Sequence, residues 1–350
     1  MSAKGEGERV MLDERKRLVL RAIIDSYVET AEPVGSRTIA RRHDLGVSPA
    51  TIRNEMADLE EIGYLEQPHV SAGRIPSDKG YRFYVDALME PHTFPQSEVE
   101  RIEKQLLDAQ HSPERALHLA AKLLALLTES VSLVVAPSSE QLVFKHVQLV
   151  LLEPTSILAT LVLHPMLVKN RLIRTAQEYS PEEVAEISEA LNKKLKGITY
   201  RQLGMTVLKE IISDFGEIGR VLVDLVLQGL AEEKEEQVYA TGASNILTQP
   251  EFRDVQRAAA LFEALEQKDM LLNILSGAAK SSGVQVIIGQ ENTYAPMQTC
   301  SIVTCTYYVG DDVVGTLGVL GPTRMDYAKM VAAVDLMAQT VSLLLTRHHR

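Results

Sequence analysis

Arg53 and Asn54, with Ala50 and Thr51 just before them, combine residue types and a spacing that suit one definite chemistry, the reading of base-pair edges. An arginine forks onto guanine, an asparagine pairs doubly with adenine, and a small Ala or Thr side chain sits against a thymine methyl. At about 100° per residue, Ala50, Arg53, Asn54 and Ala57 share one side of a helix. The other side carries Ile52, Met56 and Leu59 at the i, i+4, i+7 spacing of a buried stripe, with Glu55, Asp58, Glu60 and Glu61 expected in solvent. Ser48 is a good N-cap, Pro49 suits the first helical position, and Gly63 follows the last turn as a left-handed stop. The polar set therefore lies near the N-terminal end, which is the end a recognition helix pushes into the major groove.

The flanking residues supply the elements that must position this helix. Pro33-Val34-Gly35-Ser36 opens a short helix, Ser36 to His43, and Asp44-Leu45-Gly46-Val47 turns it into the Ser48 cap. Leu12 to Glu29 reads as a first helix of the same bundle. Downstream, Tyr64-Leu65-Glu66 and Arg74-Ile75-Pro76 are short extended pieces around Pro68 to Gly73, and Ser77 or Asp78 caps a helix running through Met89. The pattern is helix, turn, helix and wing. Helix pairs with tight turns also occur as mere packing units, so the outward residue types carry the DNA reading, since an idle solvated face is more often Glu and Lys. The candidate contacts are Arg37, Ser48, Ala50, Thr51, Arg53, Asn54, His69, Ser71 and Arg74.

Charge qualifies how such a segment would bind. Residues 1–89 hold 13 Lys or Arg against 15 Asp or Glu, so affinity must come from placement rather than bulk charge. The expected placement puts Arg37, Arg41, Arg42, Arg53, Arg74, Lys79 and Arg82 on one side. The remaining residues hold 23 basic against 32 acidic groups, which keeps the rest of the chain away from phosphate.

Other chemistries fail on spacing. Gly310, Gly315, Gly318 and Gly321 have neither the Gly-Lys-Ser/Thr end of a phosphate loop nor a G-x-G-x-x-G opening a helix. Asp311 and Asp312 read as turn residues facing water, and Gly310-Asp311-Asp312 as a hairpin turn. His348-His349 lacks a third ligand, His69 reads as structural or phosphate-near, and Glu232 to Glu236 reads as a solvated run. Cys300 and Cys305 point to opposite faces of a strand, as small buried hydrophobes rather than a disulfide or metal pair. No enzyme activity, cofactor or metal is expected. The 45% hydrophobic content can fill the cores of two or three domains in 350 residues. The segment MSAKGEGERV has no apolar h-region, and no uninterrupted apolar run reaches about 18 residues, so a cytoplasmic protein with no membrane partner is expected.

The segments PVGS, LGVSPATIRNEMADLEEIGYLEQPH, SAGRIPSDKGYRFYV and, far away, GPTRMDY resemble the HrcA family of heat-inducible transcription repressors. The resemblance runs from about Met11 to the C-terminus, and its first three motifs are too long for chance. It implies a homodimer that binds an inverted-repeat operator (CIRCE) in double-stranded DNA upstream of chaperone operons, with its active state promoted by the chaperonin GroEL. It carries DNA binding onto Ser48 through Asn54 and onto the wing at Ser71 to Arg74. Heat inactivation would then follow from marginal stability of one domain.

Beyond the wing, residues 90–96 form a proline-punctuated linker, and Ser97 with Glu100 reads as a capping box. A second helix starts at Ser112-Pro113, with Leu117, Ala121, Leu124, Leu127 and Val131 as its stripe, and serves as core or dimer surface. Strands of a central sheet are expected in VFKHVQLVLL and ILATLVLHPMLVKNRLI, then helices from Ser180, at about Leu208 to Ala231 and at Pro250 to Leu275. Sheet pattern returns only at Val284 to Ile288, Cys300 to Val309 and Val313 to Leu320, before a last helix, Asp326 to Thr346, whose apolar stripe is expected to pack on the sheet, with a helix-to-helix dimer contact as the alternative. The expected class is α+β multidomain: a winged helix-turn-helix in 1–90, a helical linker and the first part of a sheet domain in 91–180, a mainly helical insertion in 181–280, and the second part of the sheet domain in 281–350. The resemblance supplies the names GAF-like for the sheet domain and dimerising for the insertion. The alternative function is a small-effector-responsive winged-helix regulator with its pocket in the GAF-like domain.

Overall fold

The computed structural model describes residues 12–109, 112–136, 143–164, 167–199, 202–232, 238–278, 283–310 and 312–347, in an α+β arrangement. MSAKGEGERV, Asp311, His348-His349 and most of the Glu232 to Glu236 run lie outside the described residues. The N-terminal unit contains α1 (Glu14–Thr30), α2 (Ser36–Arg42), α3 (Pro49–Glu61), the two-residue strands β1 (Leu65–Glu66) and β2 (Ile75–Pro76), and α4 (Asp78–Phe83), which continues as a π-helical turn over Tyr84–Leu88. Asp13 caps α1 by accepting the Lys16 N–H, and Ser77 caps α4 by accepting the Gly80 N–H.

Helices α5 (Gln96–Asp108) and α6 (Pro113–Thr128) follow, then β3 (Val131–Val135). The expected Ser97 capping box does not form: Pro95 occupies the cap position and α5 already begins at Gln96. The proline's fixed φ leads the chain into the helix one residue earlier. Val131 is not the end of the α6 stripe either. Glu129 adopts φ 50°, which stops the helix, and Val131 opens a strand in which every residue is buried.

Strands β4 (Val143–Glu153), β5 (Ser156–His164) and β6 (Leu167–Arg174) pair antiparallel in a sheet of their own, which corrects their expected place in the central sheet. Only two residues separate each strand from the next, so they pair locally, and their inner face packs on α7 (Pro181–Leu195) and α8 (Met205–Glu232) through Val147, Leu149, Ile157, Leu161, Val184, Leu191, Ile211 and Ile218. Ser180 and Glu183 close a reciprocal capping box at the start of α7, while Gly216, at φ 55° and ψ −120°, breaks α8.

The chain then returns to the first sheet as β7 (Val238–Thr241), followed by α9 (Val255–Glu266), α10 (Lys268–Ala278), β8 (Gln285–Ile288), β9 (Cys300–Val309), β10 (Asp312–Pro322) and α11 (Tyr327–Arg347). The five strands stand in the order β7-β3-β10-β9-β8, all antiparallel. One face buries Val134, Val303, Tyr307, Leu317 and Val319 with α6 and α11; the other buries Leu133, Ile302 and Leu320 with α9 and α10. Cys300 joins the second core and Cys305 the first, and burial pushes both thiols up to about 11. Residues 238–278 thus pack with the five-stranded sheet, and the unit inserted between β3 and β7 is β4–β6 with α7 and α8, so the division of cores does not fall at the expected 180/181 and 280/281 limits. Helix α11 is long and apolar enough to cross a membrane, yet ten of its residues are buried on the sheet side.

Candidate nucleic-acid interface

Helix α3 is fixed first by its own cap. Ser48 Oγ accepts the Thr51 N–H at 3.2 Å and lies 3.0 Å from Thr51 Oγ1, so the Thr51 hydroxyl is engaged within the cap. Ile52 and Leu59 are fully buried and Met56 nearly so, against α1 and α2, which leaves Ala50, Arg53, Asn54 and Ala57 exposed together. Glu55 departs from the expected solvent position. It is 9% exposed and holds α3 to α1 through Lys16 at 3.0 Å and Arg15 at 3.5 Å. Glu55 and then Asp58 hold the Lys16 ammonium above its ordinary pKa, so it stays charged.

The hairpin after α3 is sewn back onto the residues before α2. Arg74 and Val34 exchange two backbone hydrogen bonds of 2.9 Å, and a Cβ on Gly73 would fall 2.4 Å from the Val34 carbonyl oxygen, so only glycine allows this approach. The Gln67 amide donates to the carbonyls of Val70 and Ala72, each at 3.0 Å, and the Ala72 N–H donates to the His69 carbonyl. The loop is thereby shaped with His69, Val70 and Ser71 exposed at its tip. Between it and α3 lies a hollow of about 380 Å³ lined by Ser36, Arg53, Gln67, Ser71, Gly73 and Arg74, among others.

The expected basic face is sparser than its sequence count. Arg74 is not presented at the hairpin tip: its guanidinium pairs with Glu60 at 2.7 Å and is 19% exposed, bracing the hairpin on α3. Arg42 pairs with Glu29, Lys79 donates to the Ile62 carbonyl over the Tyr64 ring, and Arg82 turns away to Glu291. Those four are taken because a carboxylate or carbonyl lies within reach in the folded chain. Arg37, Arg41 and Arg53 remain exposed with no ion pair among the described residues. The structure thus brings Arg53, Ser71 and Ser36 at the start of α2 around one hollow, with Arg37 next to Ser36 in sequence and Ala50 and Asn54 beside Arg53 on α3. No group of three or more metal-ligating side chains occurs among the described residues.

Comparison with known proteins gives the family. A model of the HrcA protein C-terminal domain matches residues 114–331. The heat-inducible transcription repressor HrcA of Desulforamulus reducens is 43% identical over 340 residues, covering 96% of this chain and 98% of its own. This chain belongs to the HrcA family of heat-inducible transcription repressors. The HrcA of Pelotomaculum thermopropionicum is 42% identical over 339 residues, 96% of this chain and 97% of its own. A crystal structure described as a hypothetical protein superposes with a TM-score of 0.69 at 26% identity, covering 96% of this chain and 99% of that one. The HrcA domain model leaves the reading helix outside its span, but the full-length HrcA relatives extend over almost the whole chain.

Proposed function

We propose that this HrcA-family chain is a dimeric, DNA-binding transcriptional repressor in which residues 12–90 form a winged helix-turn-helix and α3 reads an inverted-repeat operator. The observation that carries the reading is the exposed set Ala50, Arg53 and Asn54 at the N-terminal end of a well-capped helix whose other face is core. Arg53 is the free arginine placed to fork onto guanine, Asn54 suits adenine, and Arg37 and Arg41 supply phosphate contacts. In a two-fold dimer the two helices would meet half-sites about one helical turn, ~34 Å, or a multiple of it apart. A mobility shift with randomised duplex DNA tests this; failure to enrich any inverted repeat would overturn it.

The five-stranded sheet with its helices is the GAF-like domain in this reading, made of residues 91–136 and 238–347. The unit at 143–232 is the dimerising insertion. Its support is a largely apolar sheet face that no element covers among the described residues: Val150, Leu158 and Leu172 line up across the three strands, Val168 pairs with Val162 beyond the polar row Gln148, Thr160 and Asn170, and Val150, Leu152, Val168 and Leu172 are each more than two-fifths exposed. Monomers seldom leave such a patch bare. Chaperonin GroEL would promote the active dimer in the cytoplasm, a role that rests on the family resemblance; operator occupancy unchanged by added chaperonin would remove it.

A second reading keeps a small effector. A cleft of about 570 Å³ lies between the N-terminal unit and the sheet domain, and the buried Tyr81 hydroxyl on its wall has no hydrogen-bond partner. Such an effector would sit between the domains rather than inside the GAF-like one. A thermal-shift screen with metabolites decides, because a ligand of the folded state raises the melting point.

A further inference from the structure

The motif GPTRMDY and the residue Arg82 have no part in base reading, yet they lie on opposite sides of one polar seam. Arg82, on α4, forks onto Glu291 with Nε to Oε1 at 2.8 Å and a second bond from its terminal nitrogen, and also donates to the Val286 carbonyl at 2.6 Å. Asp78, one turn earlier, accepts the Gln290 N–H at 2.8 Å. The receiving turn is shaped for it: Gly289 has φ +47°, and a Cβ there would fall 2.1 Å from Asp78 Oδ2. From the other side, Arg324 donates to the Val28 carbonyl near the end of α1 at 2.6 Å, while its other nitrogens hold Glu251 and Gln249. Between these two arginines the Tyr81 and Tyr327 rings pack with centroids 5.5 Å apart, both buried, and Tyr327 is itself held by Ser301 and the Thr323 carbonyl.

The forked Arg82–Glu291 pair, the single bond from Arg324 across to the Val28 carbonyl and a tilted aromatic pair fix rotation as well as distance, because a forked guanidinium has directional bonds that a point charge lacks. The covalent connection offers less control, since the chain leaves the N-terminal unit through the segment Glu90 to Pro95, which has no regular structure. The seam uses α4 and the end of α1, so it leaves Ala50, Arg53 and Asn54 exposed rather than covered.

We propose that Arg82 and Arg324 are positioning residues for operator recognition: they lock the reading unit to the sheet domain, so that a dimer holds its two α3 helices at one separation and selects half-site spacing. The inference rests on the DNA-binding reading above. A rigidly held pair binds both half-sites only when the spacing matches, whereas a loosely tethered pair tolerates a range of spacings.

The test uses the full-length chain with Arg82→Glu, Glu291→Arg, the double exchange, and Arg324→Ala. Mobility shifts are run on the selected inverted repeat, on the same repeat with one to five base pairs added between half-sites, and on a single half-site. Wild type should prefer one spacing by about tenfold or more, and each single variant should flatten that preference while keeping single half-site affinity. The double exchange should restore much of it by re-forming the Arg–Glu pair. Sedimentation and thermal melting check that the variants remain folded dimers at the assay temperature; a variant that unfolds is replaced by Gly289→Ala, which blocks Asp78 without touching a charge. Variants that keep the wild-type spacing preference overturn the inference alone. So do variants that bind the operator more tightly, which would make the seam a restraint, or variants that lose half-site and operator binding equally. A wild type that binds no duplex overturns the DNA-binding reading and this inference with it.

Discussion

The outward face of α3 and the outward face of the β4–β6 sheet both lack a partner among the described residues, and they are built on different principles. The α3 face presents a small residue, an arginine and an asparagine, each able to make directional bonds. The sheet face presents mainly Val and Leu, in rows on either side of Gln148, Thr160 and Asn170. The first can discriminate among ligands but supplies little burial; the second supplies burial, with one polar row among the apolar ones. A repressor of two-fold DNA needs both, and this chain places them on separate folding units with separate cores.

The largest effect expected from breaking this contrast is at the sheet. Leu172→Asp with Val168→Asp should convert the dimer to monomer in light scattering and lower operator affinity on the order of 10²-fold, since the second half-site contact ceases to be intramolecular. A persistent dimer would move the interface elsewhere. Next comes the reading face: Arg53→Ala or Asn54→Ala should cost about 1–3 kcal/mol and relax preference at particular base pairs without altering the oligomer. If selection from random duplexes returns the wild-type sequence for both variants, neither reads a base.

Smaller effects separate the arginines that are free from those that are braced. Arg37→Ala should weaken binding evenly across sequences and reduce the salt slope by about one. Arg74→Ala should leave that slope alone and lower the melting temperature instead, the partly exposed pair with Glu60 being worth about 1 kcal/mol or less. The reverse outcome would return Arg74 to the DNA surface.

The smallest effect is in pH. Burial alone would raise the Glu291 carboxyl, but the bonds from Arg82 and from the Ile288 N–H outweigh it and hold the group below its ordinary 4.5. A lowered carboxylate stabilises the fold fully above that ordinary value, and the contribution disappears as pH falls through the folded-state value. Wild type should therefore lose more stability than Glu291→Gln between about pH 5 and 3 in denaturant titrations. Parallel curves would show that the Arg82 pair adds nothing to stability.

Much of the reading unit is legible from local spacing. The α3 stripe, the Ser48 and Ser77 caps and the outward trio all depend on residues within one or two turns, where helical geometry leaves little choice. Arg74, Arg82 and Glu55 misled for the converse reason. Their roles depend on Glu60, Glu291 and Lys16, partners that a one-dimensional pattern does not bring near. The strands β4–β6 were recognisable as strands, but nothing in their alternation says which sheet they join.

By itself the sequence determined the reading helix, its polar face and the family, because a 3.6-residue period and a long contiguous motif are local properties. Only the tertiary structure decided that β3 pairs with β10 across nearly the length of the C-terminal half, that β4–β6 stand apart with a largely apolar face uncovered by any described element, and that Arg42, Arg74 and Arg82 are already engaged. Those outcomes depend on pairings between distant segments, such as Arg82 with Glu291 across 209 positions, which form once the cores on both sides have packed.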